Sequence, residues 1–326
     1  MQVTKYDTST HFKKTTFNIF FALLLLPASN DLPQVYSRCA TGYNQHIRSP
    51  INIAFAIMAI AAIGQLCSTA SMSHNLALCQ TLVKKAVDAG AKALFLPEAS
   101  DYIASSSLES LSLAQPMSSS PFLLGLQASA KASSLAINVG VHVPAPSGKM
   151  FNRSCWINEK GEIESYYDKL HLFDYGKLRE SDSVEAGKSI GRPVETAVGR
   201  IGLCICFDLR FPEISLSHAR QNAQILTYPS AFTVPTGKAH WETLLRARAI
   251  ETQAYVIAAA QIGVHNEKRT SYGHSMVVDP WGQVLLDMTG EGSEAEIGVV
   301  DLNLGYWERV REGMPLLRRT DAYPEF

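Results

Sequence analysis

Neither sign of charge predominates in this chain: 29 Lys and Arg stand against 30 Asp and Glu, a formal net charge of −1. The basic footprint that nucleic-acid binding leaves on a sequence is therefore missing. Cysteine is sparse. Its six positions, Cys39, Cys67, Cys79, Cys155, Cys204 and Cys206, are too few and too irregular for a disulfide framework, and reduced thiols in an intracellular compartment are the expectation. No apolar run is long enough for a stable membrane span. The uncharged stretch 15–30 has its apolar centre only at 19–28, whereas a spanning helix needs about 20 consecutive apolar residues. A hydrophobic content of 46% with 18% charged residues excludes a disordered tail or a fibre. The length of 326 residues fits about two domains, or one large α/β layer structure with a sizeable core.

The amino end differs from the rest. Lys13 and Lys14 precede the stretch 15–30, which has the length of a signal-peptide apolar region. The cysteine usage argues against secretion, and an acid-poor leader with Lys and Ser/Thr equally fits a mitochondrial presequence. A second uncharged stretch follows Arg48; its later half reads as a buried strand over 59–66 rather than a weak membrane anchor. Met58 stands just before that strand, so translation starting there is a third reading. The chain is accordingly divided into 1–57, a leader, transit segment or mis-started stretch outside the fold, and 58–326, the folded domain. The expected location is the cytoplasm, or the mitochondrion if the leader is genuine.

From Met58 onward strands and helices alternate. Strand 59–66 is followed by Leu76, Cys79, Val83 and Val87 at helical spacing, with Gly90 placed to end the helix. Strand 93–96 stops at Pro97, the Ser-rich 105–120 reads as a loop, and 122–133 as a helix. Strand 135–143 precedes a hairpin turning at Glu159-Lys160-Gly161. The second half repeats the theme with strand 201–207, helix 212–221, strand 224–228, helix 239–253 and strand 255–261. Strands 275–278, 284–286 and 297–302 complete it. Two β-α-β-α-β units followed by antiparallel hairpins predict an α/β fold of two similar halves, each a sheet with helices on one face, packed together as one domain.

Three positions stand where chemistry is commonly placed. Glu98 follows Leu94-Phe95-Leu96-Pro97 where a buried strand runs out, and crevices at carboxyl ends of strands bind ligands in open α/β sheets. A surface acid on a loop is the blander reading. Cys206 ends the run Ile201-Gly202-Leu203-Cys204-Ile205-Cys206, and Pro212-Glu213 at the start of the next helix put it in the strand-to-helix turn, the layout of a nucleophile elbow; a strand cysteine is otherwise a small core hydrophobe. Cys204 invites a Cys-x-Cys metal site, but no second Cys/His pair stands at ligand spacing. Lys169, in Asp168-Lys169-Leu170-His171-Leu172-Phe173-Asp174, is open to snorkelling or pairing with Asp168.

Together, Phe95-Leu96-Pro97-Glu98, Lys169-Leu170-His171-Leu172-Phe173-Asp174 and Cys206-Phe207-Asp208-Leu209-Arg210-Phe211-Pro212-Glu213 resemble the three signatures of the nitrilase-like, or carbon-nitrogen hydrolase, superfamily, in the family's order. Ile225-Leu226-Thr227-Tyr228-Pro229-Ser230-Ala231-Phe232, Ala239-His240-Trp241-Glu242, Arg246-Ala247-Arg248-Ala249 and Ser271-Tyr272-Gly273-His274-Ser275-Met276-Val277-Val278-Asp279-Pro280-Trp281-Gly282 are similar to the deaminated glutathione amidase branch. The resemblance covers the chain from Met58 to its end. It implies an α-β-β-α four-layer sandwich and a hydrolase of linear amides with Glu98, Lys169 and Cys206 as catalytic residues. Glu180 resembles the family's supporting glutamate, although the Lys169–Glu180 connection is shorter than expected, and Phe207 stands where a tyrosine is usual.

The implied chemistry is two-step and uses no metal or organic cofactor: Glu98 takes the Cys206 proton, the sulfur attacks the amide carbon, Lys169 and the Phe207 N–H hold the oxyanion, and water then frees the acid from a thioester. The substrate so implied is deaminated glutathione, cut to 2-oxoglutarate and cysteinylglycine. Its 2-oxo carboxylate calls for a planar cation, for which Arg210 is the first candidate and Arg246 and Arg248 the second. Phe207, Phe232 and Thr233 are further candidate substrate contacts. The competing readings are an ω-amidase acting on 2-oxoglutaramate, which shares the acyl half, and a catalytically silent binding relative. The only partners expected besides the small amide are copies of the chain itself, since 307–317 with Arg309, Arg311, Arg318 and Arg319 suggests a homodimer or larger homo-oligomer.

Overall fold

A computed structural model describes residues 58–176, 178–290 and 295–324; the reading of 1–57 as a leader lies outside them. Strand β1 (Met58–Gln65), helix α1 (Met72–Asp88), β2 (Ala93–Phe95), α2 (Ser107–Leu113), α3 (Pro121–Ser133), β3 (Ala136–Pro144), β4 (Met150–Ile157) and β5 (Ile163–Asp168) build the first half. A small hairpin of β6 (Asp174–Tyr175) and β7 (Leu178–Arg179) follows. The second half contains β8 (Val194–Thr196), β9 (Gly199–Leu203), α4 (Pro212–Arg220), β10 (Ile225–Thr227), α5 (Val234–Thr252) and β11 (Tyr255–Ala258). It continues through the hairpin β12 (Ile262–Asn266) and β13 (Arg269–Tyr272), then β14 (Met276–Val278), β15 (Val284–Asp287), β16 (Glu296–Asn303) and α6 (Leu304–Gly313).

Two six-stranded sheets have the orders β16-β1-β2-β3-β4-β5 and β8-β9-β10-β11-β14-β15. In each, the second to fourth strands run parallel and the outer ones antiparallel. The two halves are thus equivalent in topology, as expected, with one difference that periodicity did not announce: the first sheet takes its edge strand from the far end of the chain. Helices α1 and α3 bury Leu82, Val83, Ala86, Leu123 and Leu126 against Leu94 and Ile137 on the outside of the first sheet. Between the sheets Ala61, Ile63, Phe95 and Trp156 meet Ile201, Leu203 and Ile257, while Trp241, Leu245 and Ala249 of α5 cover the outside of the second. The layers are therefore α-β-β-α. Among the described residues no helix is long and apolar enough to cross a membrane.

Two local expectations are corrected. The Ser-rich segment 105–120 contains α2, begun by the N-cap Ser106, whose Oγ accepts from Glu109 N, while Glu109 Oε2 accepts from Ser105 N. The strand expected over 201–207 stops at Leu203, because Cys206 sits in the left-handed region at φ +43° and opens a 3-10 turn, Cys206–Arg210.

Candidate active site

Three strand ends converge on one cavity. Glu98 lies just past β2, Lys169 directly follows β5, and Cys206 comes after β9 of the other sheet; all three line a cavity of about 360 Å³. Backbone bonding holds the Glu98 turn rigidly, with Gly140 N donating to Pro97 O at 3.1 Å and Ser100 N to Gly140 O at 2.9 Å. Gly140 permits this approach. A Cβ there would lie 2.5 Å from Glu98 Cα. Gln261 of the second half also donates to Glu98 O at 3.0 Å, so both halves hold the backbone of this residue.

Lys169 Nζ donates to Glu98 Oε1 at 2.9 Å and to Glu180 Oε2 at 2.8 Å. The bland reading of Lys169 as a partner of Asp168 is not what the fold makes: Asp168 is held by Arg153 through two contacts of 2.6 and 2.8 Å. Glu180 reaches the site despite the short connection, because the β6–β7 hairpin folds it back until its Oε2 also accepts from Phe173 N at 2.7 Å. Asn152 on β4 joins the two acids, donating to Glu98 Oε1 at 2.7 Å and Glu180 Oε1 at 2.8 Å. One ammonium and one amide thus hold two carboxylates together, and Glu98 Oε2 is left buried without a hydrogen-bond partner among the described residues.

Burial pushes the Glu98 carboxyl up, but the charge and hydrogen bond of Lys169, helped by Cys206 and Arg269, outweigh it and leave its pKa below the usual glutamate value. Burial likewise opposes the Lys169 charge, and Glu180 and Glu98 overcome that, raising its pKa. Burial pushes the Cys206 thiol up and the Glu98 charge pushes it further, with Lys169 and the Ala231 backbone pulling back only in part. At neutral pH the cluster therefore holds a carboxylate, an ammonium and a thiol. Such a thiol needs a base before it can act as a nucleophile, and a carboxylate with one uncommitted oxygen faces the same cavity.

The carbon-nitrogen hydrolase family profile matches residues 60–312, which spans both sheets and all three strand ends. The chain belongs to the carbon-nitrogen hydrolase family. Among relatives of this hydrolase, the probable hydrolase nit2 of Schizosaccharomyces pombe is 46% identical over 82% of this chain and 99% of that one. The human deaminated glutathione amidase is 41% identical over 93% of this chain and 94% of its own length. The crystal structure of the Caenorhabditis elegans NitFhit protein matches with a TM-score of 0.76 and 40% identity, covering 82% of this chain and 66% of that longer one.

The other expected substrate contacts divide. Arg210, Phe207, Phe232 and Thr233 line the cavity, with the Arg210 guanidinium 5.6 Å from the ring centroids of both Phe207 and Phe232. Arg246 and Arg248 do not: Arg246 donates to Gly282 O and Arg248 to Leu209 O and Glu251. Cys204 is wholly buried in the core. Sequence reading passed over Asn152 and gave Asp208 no role in this hydrolase. The buried Asp208 accepts from Tyr167 Oη at 2.9 Å, His171 N at 3.1 Å and Ile205 N at 3.0 Å, tying the Lys169 loop to the Cys206 turn. An acid two residues after a turn cysteine was the available signal; for Asn152, in mid-strand, there was none.

Proposed function

We propose that this carbon-nitrogen hydrolase is a cysteine-dependent amidase that cuts deaminated glutathione to 2-oxoglutarate and cysteinylglycine. The observation that carries the amidase reading is the buried juxtaposition of an ionised Glu98, a charged Lys169 and a protonated Cys206 at the wall of one cavity. The substrate follows from the likeness to relatives bearing that name and from the cations Arg210 and Arg269 lining a cavity that would receive an anion.

In the proposed reaction Glu98 Oε2, the uncommitted oxygen, takes the thiol proton as Sγ bonds to the amide carbon. Lys169 Nζ and the Phe207 N–H hold the resulting oxyanion, a contribution of about 3 to 4 kcal/mol per well-placed donor. The C–N bond breaks, the amine leaves with the proton from Glu98, and a thioester remains. Glu98 then deprotonates a water that attacks the same carbon; the C–S bond breaks and the sulfur regains a proton. Glu180 and Asn152 keep Lys169 and Glu98 oriented. The deciding measurement sets deaminated glutathione beside 2-oxoglutaramate and follows release of cysteinylglycine and of ammonia. A higher kcat/KM on deaminated glutathione is expected; preference for 2-oxoglutaramate would make the protein an ω-amidase, and no turnover of either would defeat the reading. Cys206→Ala is expected to lower turnover by about 10⁴-fold or more, while Cys204→Ala leaves it within a few-fold.

A further inference from the structure

One of the cations lining the cavity, Arg269, takes no part in the steps just described. Arg269 opens β13, and its side chain lines the cavity together with Arg210 from the Cys206 turn. Its Nε is buried and has no hydrogen-bond partner among the described residues. Its guanidinium makes one long hydrogen bond among the described residues, Nη2 to Ala231 O at 3.4 Å. The buried arginines behave differently: Arg153 grips Asp168 with two contacts of 2.6 and 2.8 Å, and Arg248 meets Glu251 at 2.7 Å. No carboxylate among the described residues makes an ion pair with Arg269.

A guanidinium N–H taken out of water without an acceptor is unfavourable unless something else supplies the acceptor. Its backbone is well anchored for that purpose, since β13 is bridged to the Phe232 segment by Tyr272 N donating to Phe232 O at 2.9 Å. The neighbouring Lys268 extends toward the α2 entry loop, with Nζ 3.5 Å from Ser105 O. A planar fork of donors on a positive wall suits a planar anion with two oxygens.

We propose that Arg269 is a substrate-binding residue that takes a carboxylate of the amide, adding a second guanidinium to the one offered by Arg210. The inference rests on the amidase reading for the identity of the substrate, and the chemistry it names, a carboxylate, has two sources: the 2-oxo acid end and the glycine end of deaminated glutathione.

The test is titration calorimetry on Cys206→Ala protein, which cannot form the thioester, with and without Arg269→Gln. The ligands are deaminated glutathione, 2-oxoglutaramate and butyramide, which carry two, one and no carboxylates. Loss of the fork should weaken a charged amide by about 100-fold and leave butyramide within about 3-fold. Weakening of both charged amides assigns Arg269 to the 2-oxo acid end, and weakening of deaminated glutathione alone assigns it to the glycine end. Arg269→Lys, which keeps the charge without the fork, should cost the charged amides about 10-fold, and it carries the test if the glutamine variant does not fold. Equal weakening of all three ligands would mean that Arg269 acts only through the Ala231 backbone, and unchanged binding of all three would mean that it does not touch substrate; either overturns the proposal. Turnover of deaminated glutathione by the wild-type protein tests the amidase reading separately, since Arg269-dependent binding of charged amides stands without it.

Discussion

At the scale of residues, the site depends on one amide that carries no chemistry itself. Asn152 Nδ2 donates to the ionised form of Glu98 at 2.7 Å and so favours it. Asn152→Leu should raise the Glu98 pKa. The acid limb of the pH–rate profile should therefore move to higher pH, and turnover at neutral pH should fall about 10- to 100-fold. A profile that merely drops without shifting would mean that Asn152 does not act through Glu98. Two histidines make a different pH statement. Burial lowers His218 and His265 from 6.5 to about 4 each. Between those values the unfolded chain takes up protons that the folded one refuses, so stability is fully present above about pH 6.5 and is lost as pH falls toward 4. The loss from pH 7 to 5 should be about 2 kcal/mol per histidine. Denaturant titration at the two pH values, with His218→Gln flattening the difference by about half, checks it.

At the scale of elements, the strands matter for where they end. Leu96 N bonds Asn138 O at 2.8 Å, and the chain then leaves the sheet to pass over Gly140. In Gly140→Ala the new Cβ would meet Glu98 Cα at 2.5 Å and Pro97 O at 2.9 Å, both backbone atoms that cannot swing aside. The Glu98 turn should shift, since small displacements of a positioned group cost about 100-fold in rate, and some stability should go with it. An alanine variant with unchanged kcat and unfolding midpoint would show that the turn is free to adjust. The 3-10 turn at Cys206 works in the same manner. Its left-handed first residue ends the pleat and sets Cys206 at the cavity wall, which Cys204 does not line.

For the whole molecule, closure of the first sheet depends on the last strand. β16 pairs with β1 along its full length, from Met58 opposite Asn303 to Gln65 opposite Glu296. Removing 296–326 would bare the β1 edge and take Val300 and Leu302 out of the core, and the product should lose its cooperative thermal transition. Removing 1–57 leaves that whole register in place, and we propose that such a protein keeps its activity and melting temperature. A lost fold there would place part of 1–57 within the working structure.

Local signals were sufficient for much of this protein. Strand and helix periodicity, Pro97, Pro212 and Gly161 as breakers, and three motifs in order placed Glu98, Lys169 and Cys206 at strand ends, because alternation and chain reversal are properties of neighbouring residues. The start signal of α2 was also present in Ser106 and Glu109, although the serine-rich composition obscured it. The rest depends on segments far apart in the chain. Asn152 reaches Glu98 across 54 positions and Gln261 reaches it across 163, and β16 returns to β1 from the opposite end of the fold. Whether Lys169 meets Asp168 or two glutamates, and whether Arg246, Arg248 or Arg269 faces the cavity, turns on which groups packing leaves unpaired, a quantity no single segment contains.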